Sequence, residues 1–240
     1  MRAVRPPLAT FALTLAVLVA PGAFADNEAA IEAPMATALN DFLPVWMPED
    51  GDEIRFEVLR KGKHFGFHNV VFDVSDAGDF TATSEVELTA KFGPIVAYKY
   101  RHDSVEVWRD GQFVGLSAET RKEGKDLVAS AQIADGALAV TGTNFTGTYP
   151  VDIIPANHWN VSQLYSDTIL STEGGQPLDV AVENLGRESV VIDGVTLEAT
   201  KVKLASDLTI FLWYDDDGRW LKLNFTARGQ LIEYVLQDLY

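Results

Sequence analysis

The stretch "YKYRHDSVEVW" (98–108) holds the residues whose types and spacing come nearest to a reactive site. Counted by twos, Tyr98, Tyr100, His102, Ser104, Glu106 and Trp108 share one strand face, while Lys99, Arg101 and Asp103 share the other. A histidine and a carboxylate on one face are the elements of general acid–base catalysis. The same groups also make a cross-strand hydrogen-bond network on a solvated face, and that reading is favoured over a hydrolase or isomerase built on His102 and Glu106. His64 and His68, in "FEVLRKGKHFGFH" (56–68), are four residues apart, a spacing that puts them on one strand face. No carboxylate of the right parity accompanies them, so they make a poor metal site. The "YDDDG" of 214–218 fails as a calcium loop, because Trp213 and Asn224 stand where the first and last ligands belong. It reads as a solvated turn. The chain contains no G-x-S-x-G, H-E-x-x-H, phosphate-binding loop or dinucleotide fingerprint. No catalytic residue, metal or cofactor is assigned.

The elements that must position these groups are strands. In "FTATSEVELTAKF" (80–92), Phe80, Ala82, Val86, Leu88, Ala90 and Phe92 alternate with Thr, Glu and Lys, the mark of a strand wet on one side. "DLVASAQI" (126–133) and "RWLKLNF" (219–225) alternate in the same way, the latter setting Leu221, Leu223 and Phe225 opposite Trp220. Glycine- and aspartate-rich turns separate such segments, and no βαβ rhythm appears. Two stretches align without a gap: "FEVLRKGKHFGFH" (56–68) and "VEVWRDGQFVGLS" (105–117). Their second glycines, Gly66 and Gly115, predict bulges or close backbone approaches, and "FLWYDDDGRWLKL" (211–223) is a looser third copy. In the second copy Phe113 and Ser117 replace the histidines, so the hairpin is scaffold. "TLEATKVKL" (196–204) changes parity midway, as a β-bulge does. The expected fold is all-β: one large, strongly curved antiparallel meander of roughly eleven strands, closing to a half-barrel or incomplete barrel. "NEAAIEAPMATALNDFL" (27–43) and "PANHWNVSQLY" (155–165) are the candidate helical segments, expected as a lid.

Residues 1–25 read as a cleaved signal peptide, with Arg2 and Arg5, an apolar run from Leu8 to Ala20, and Ala23 and Ala25 before the cut. Residues 26–52 form a partly helical extension and 53–240 a single β domain. The absence of cysteine excludes an N-terminal lipid anchor and disulfides. A periplasmic, non-lipoprotein chain is expected. Removing Arg2 and Arg5 from the 19 Lys and Arg leaves 17 against 35 Asp and Glu, a formal charge near −18. That sum argues against nucleic acid or an anionic membrane surface as partner, and no stable membrane insertion is expected after cleavage.

The motifs "YKYRHDSVEVWRDGQFVGL" (98–116), "PANHWN" (155–160) and "LWYDDDGRWLKLNFTARG" (212–229) resemble the signature stretches of a family of uncharacterised exported proteobacterial proteins, a domain of unknown function. More remotely, the run of antiparallel strands is similar to periplasmic carriers of the lipoprotein-localisation type (LolA/LolB-like). That resemblance implies a curled half-barrel whose inner face holds acyl chains. The leading expectation is therefore a non-catalytic carrier for an apolar or amphiphilic, lipid-like ligand. Its ligand-binding candidates are Tyr98, Tyr100, His102, Trp108, Trp159, Trp213 and Trp220. The alternative is a structural or protein-interaction module of the cell envelope.

Overall fold

The computed structural model describes residues 43–240. The signal peptide expected over 1–25, and the helical part of the extension up to residue 42, lie outside the described residues; 43–52 contains no helix. The strands of the described residues are β1 (Glu53–Arg60), β2 (Lys63–Val74), β3 (Phe80–Phe92), β4 (Ile95–Arg109), β5 (Gln112–Lys122), β6 (Lys125–Ala134), β7 (Ala137–Gly142), β8 (Thr146–Tyr149), β9 (Thr168–Leu170), β10 (Pro177–Asp179), β11 (Ala181–Ile192), β12 (Val195–Ala205), β13 (Thr209–Tyr214), β14 (Trp220–Ala227) and β15 (Gln230–Leu236). Thirteen of them form one antiparallel sheet ordered β11-β12-β13-β14-β15-β1-β2-β3-β4-β5-β6-β7-β8, and β9 pairs only with β10. Two meanders are thus spliced where the first strand meets the last, with Phe56 opposite Leu236 and Val58 opposite Tyr234. The two ends of the order, β8 and β11, do not pair with each other, so the barrel is incomplete. The strand count exceeds the roughly eleven expected, because strands of three or four residues such as β8, β9 and β10 are too short to show alternation.

The three related hairpins share one irregularity. Val58 faces Gly66 while Leu59 faces His64; Val107 faces Gly115 while Trp108 faces Phe113; Trp213 faces Lys222 while Tyr214 faces Trp220. One residue is skipped each time, which is a bulge. A bulge changes which face a side chain takes. His64 is therefore exposed beside the Glu57 carboxylate at 2.9 Å, while His68 is buried, and the two do not share a face. Trp220 and Leu221 are likewise both buried, rather than on opposite sides as strict alternation implied. The slip expected within 196–204 exists, but its extra residue lies on the partner: Asn184 faces Val202 and Arg187 faces Thr200.

Antiparallel turns alternate between the two ends of the barrel. At one end gather the turns after β2, β4, β6, β11 and β13; there Trp46 rests on Phe72, Trp159 and Tyr240. This is the strap end. The turns after β1, β3, β5, β7, β12 and β14 gather at the other end, the mouth. The long connection from β8 to β11 is not the expected lid. It enters the barrel, burying Ile153, Trp159, Val161, Leu164, Ile169 and Leu170, and includes a 3₁₀-helix, Val161–Tyr165, capped by Asn160. The physical reason is the inner face itself: a curled sheet leaves apolar surface that a surface lid cannot cover, and the connection fills it.

The bulge glycines make a testable contrast. A Cβ at Gly66 would stand 1.8 Å from the Glu87 carbonyl oxygen, whereas at Gly115 the nearest atoms lie at 3.5 Å. Urea unfolding is expected to show Gly66→Ala destabilised by on the order of 3 kcal/mol and Gly115→Ala by less than about 0.5 kcal/mol. Equal losses would refute the close approach.

Candidate functional site

Reading across β2, β3, β4 and β5 at fixed register gives layers from strap end to mouth. Val74–Phe80–Trp108–Phe113 comes first, then Phe72–Ala82–Glu106–Leu116, then Val70–Ser84–Ser104–Ala118. His68–Val86–His102–Thr120 follows, and Gly66–Leu88–Tyr100–Lys122 is nearest the mouth. The parity inferred for 98–108 therefore holds, but its polar face is the inner one and not the solvated one. Arg101 is the outward residue, bonding Asp103 and Glu87. The reason is a slip at the tip of the β3–β4 hairpin, where Lys91 faces Val96 but Ala90 faces Tyr98. Without it, Ala82 would oppose Val105 and the histidine face would look out.

Aromatic rings close the strap half. Trp159 meets Phe72 at 5.1 Å, Trp108 at 5.2 Å and Phe80 at 5.8 Å between centroids, each nearer edge-to-face than stacked. Trp220 packs on Phe56 and beside His68 and His158. Trp213 stands apart from the other candidates: its ring lies between the Lys201 and Lys222 ammonium groups, at 4.9 and 4.7 Å. The triple aspartate is not simply solvated either. Asp215 is buried and accepts from the Arg219 side chain and from two backbone N–H groups, while Asp216 pairs with Arg187. Trp213 owes its setting to cations on the two neighbouring strands, and Asp216 to Arg187 on β11, none of which the local segment pattern displays, whereas Asp215 folds back on Arg219 of its own turn.

The residues that sequence reasoning missed lie in the plug. His158 has φ +64°, left-handed for a residue with a Cβ, and this kink sends three consecutive side chains to three places. Asn157 donates to Glu106 at 2.8 Å, His158 bonds Gln163 at 3.0 Å, and Trp159 enters the aromatic cluster. Gln163 in turn donates to the Tyr214 hydroxyl, which donates to the His158 carbonyl. "PANHWN" was the visible signal; its partners were not visible.

Burial sets the titration of the polar layers. His68 bonds Ser84 at 2.9 Å, and burial, then His158 and His102, lowers its pKa to about 3. Burial lowers His158 to about 4 and also lowers His102, which bonds Thr120 at 2.8 Å. Burial raises Glu106 to about 7 against hydrogen bonds from Asn157 and Trp108. Trp159 also favours the charged carboxylate, although its indole N–H makes no hydrogen bond of normal geometry. His102 and Glu106 are four strand residues apart, about 13 Å, and each is engaged elsewhere, so they do not form an acid–base pair. Among the described residues no group of three His, Asp or Glu is placed to hold a metal ion. At the mouth Tyr100 donates to Glu173 at 2.9 Å, and Lys122 pairs with the same carboxylate. Tyr98 and Tyr100 are only half-buried, so water reaches the tyrosine layer and stops at the histidines.

Glu106 yields a signed pH prediction. A carboxyl raised by folding contributes stability in full below its unfolded pKa of about 4.5 and loses it as pH rises through about 7. Glu106→Gln removes that loss. In urea unfolding it is expected to exceed the parent by on the order of 3 kcal/mol near pH ~8, and to differ by less than about 1 kcal/mol near pH ~4.5. A difference that ignores pH contradicts the assignment. The histidines act with opposite sign: their contribution is complete above about 6.5 and fades as pH falls toward the values of about 3 and 4 given for His68 and His158.

The fold has a relative among solved structures. A crystal structure of a beta-barrel-like protein of domain of unknown function DUF1849 from Brucella abortus superposes with a TM-score of 0.56 at 12% identity, covering 78% of this chain and 97% of that one. At that identity the likeness concerns the fold alone. No curated protein matches the chain. The model of the family described as Domain of unknown function (DUF6134) matches residues 56–237, the span from β1 to just past β15 that carries every layer above, and the chain belongs to that family.

Proposed function

We propose that this chain is an exported, non-catalytic binding protein of the periplasm that takes a neutral amphiphile through the mouth of its barrel. One observation carries the reading. Beneath the half-buried Tyr98 and Tyr100, the inner face presents hydrogen-bonding groups, and one of them, the buried Ser104 hydroxyl one layer below His102, has no partner in the protein. A buried hydroxyl without a partner costs about 1–3 kcal/mol, a cost that a ligand group reaching it removes. Between Ser104 and the mouth the inner face also carries apolar side chains, with Phe65, Val86, Leu88 and Ala90 buried. The histidines are held neutral by burial, and the nearest carboxylate of the mouth, Glu173, is already paired with Lys122. Nothing inside balances an ionised head, so a hydroxyl, ester or amide suits the layer better than a free acid or amine.

A second reading rests on the plug. The strap half is filled by the chain's own 153–170, and the hollows of about 510 and 630 Å³ are open ones, by Lys63 and Lys91 and on the outer face by Val107 and Val114. A filled half suits an envelope interaction module, and β11 supplies a 12-residue edge strand for a partner.

Solvent extraction of the purified chain followed by mass spectrometry separates the two. The binding reading expects an amphiphile in near-stoichiometric yield. Ser104→Leu and Tyr100→Ala are each expected to lower that yield about tenfold, with circular dichroism confirming the fold, while Lys201→Ala on the outer face leaves it unchanged. An extract without amphiphile, or one that the inner variants do not alter, rejects cargo and favours the interaction module.

A further inference from the structure

The barrel is electrically polarised along its axis. Every strap-end turn carries aspartate: Asp76, Asp110, Asp135 and Asp193 in four of them, and Asp215 to Asp217 in the fifth. The mouth turns carry the cations. Lys61 and Lys63 flank the β1–β2 turn, Lys91 ends β3, and Lys125 opens β6; all are exposed. Among the described residues none of these four has a carboxylate within 4.0 Å, whereas Lys122 and Arg228 are paired with Glu173 and Glu123. Acidic groups at this end are mostly engaged: Asp126 is 3.7 Å from Arg121, Glu87 is bonded by Arg101 and Glu57 by His64, while Asp207 lies in the β12–β13 turn. The negative net charge thus conceals a basic end.

The same end carries an apolar projection. β3 and β4 pair as far as Phe92 and Ile95, but β2 leaves β3 at Leu88 and β5 leaves β4 at Tyr100. Ala90 is still buried, Tyr98 packs on Phe65 and the Glu123 N–H bonds the Lys99 carbonyl, so the part that projects is the tip: Lys91 and residues 93–97 are exposed. At its tip Ile95 is 65% and Val96 52% exposed, among the most exposed large apolar side chains described. Lys91 shares this tip, and the hollow at its base, about 510 Å³, is lined by Arg60, Lys63 and Lys91.

We infer that the mouth is a docking surface for an anionic lipid bilayer, with Ile95 and Val96 entering the interface and the rim lysines lying over the headgroups. An apolar tip ringed by unpaired cations has the chemistry of peripheral membrane attachment: apolar insertion and electrostatic attraction each fall short alone and suffice together. The hollow at the tip's base brings Arg60, Lys63 and Lys91 together, and the one carboxylate in its lining, Glu87, is engaged by Arg101. The barrel does not span the bilayer in this arrangement, since Glu85, Glu87, Arg101 and Asp103 occupy the outer face of β3 and β4. Net charge alone predicts repulsion from such a surface. Attraction depends on which end approaches, because a Debye length of about 8 Å hides the aspartate turns from a membrane facing the mouth. This inference stands whether or not the interior carries cargo.

Vesicle flotation tests it, with the N terminus common to all variants. Vesicles of phosphatidylcholine containing about 30% phosphatidylglycerol are expected to bind the chain at least tenfold more tightly than pure phosphatidylcholine, with the preference lost near 0.5 M salt. Lys63→Glu and Lys91→Glu are each expected to weaken binding about fivefold or more, and Ile95→Ser with Val96→Ser by about tenfold or more. Asp110→Asn with Asp193→Asn at the strap end leaves binding unchanged. Equal binding to both vesicles, or a preference that the mouth variants leave intact, overturns the inference. So does binding confined to soluble acidic proteins. An amphiphile found by extraction without vesicle preference leaves the binding function standing and removes only the docking.

Discussion

The structure depends on filling the concave side of a curled sheet. Thirteen strands curl into one sheet whose edge strands, β11 and β8, do not pair, and the concavity must be occupied by something apolar and close-packed. Trp159 supplies the centre of that packing, in contact with rings from the strap, β2, β3 and β4. It arrives there on a chain segment whose polar backbone needs partners too. The 3₁₀-helix, the Asn160 cap and the short β9–β10 ladder provide them inside the barrel. The plug is thus both core and ligand-like occupant, and the polar layers begin where its aromatic contacts end.

Bulges decide what that concavity contains. A strand without slips puts every second residue inside, so one misplaced residue exchanges the whole inner set for the outer one. The slip at Ala90–Lys91 turns His102, Ser104 and Glu106 inward; the one opposite Gly66 separates His64 from His68. These interior groups are satisfied mostly by one another: His68 with Ser84, His102 with Thr120, Glu106 with Asn157. Burial then keeps the histidines neutral and raises Glu106 to about 7, so the interior offers hydrogen bonds with one carboxyl that titrates near neutrality.

Much of this was legible in the chain. Alternation in 80–92 and the aspartate–glycine and lysine–glycine turns revealed the antiparallel sheet, and the aligned copies at 56–68 and 105–117 located two bulges. Face assignment was not legible. Parity groups residues but does not say which group is inside, and the skipped residue at Ala97 lies outside the aligned copies. Trp213 shows the same limit. Its environment consists of Lys201 from one neighbouring strand and Lys222 from the other, so no local pattern displays it. The plug was least legible of all, because 153–175 has no periodicity and owes its form to the cavity it fills.

The two ends of the barrel answer different physical demands, and this joins the functional readings. At the strap end aspartate turns are held by arginine and by the chain's own terminal residues: Arg219 spans Asp215 and the Tyr240 carbonyl, and Arg55 pairs with Asp238. That end is braced and its rings are packed, Trp46 resting on Phe72, Trp159 and Tyr240. At the mouth the bracing is electrostatic and exposed, an Arg228–Glu123 pair at 3.0 Å joining the β14–β15 turn to the β5–β6 turn across the rim. Exposed pairs of this kind contribute about 0–1 kcal/mol, little enough for thermal motion to break them repeatedly. The two ends thus differ in kind: packed rings and the buried Asp215 carboxylate hold the strap end, and pairs that water screens tie the mouth. The half-buried tyrosines and the apolar tip lie at the mouth, and the unpartnered Ser104 hydroxyl lies midway, one layer beneath His102.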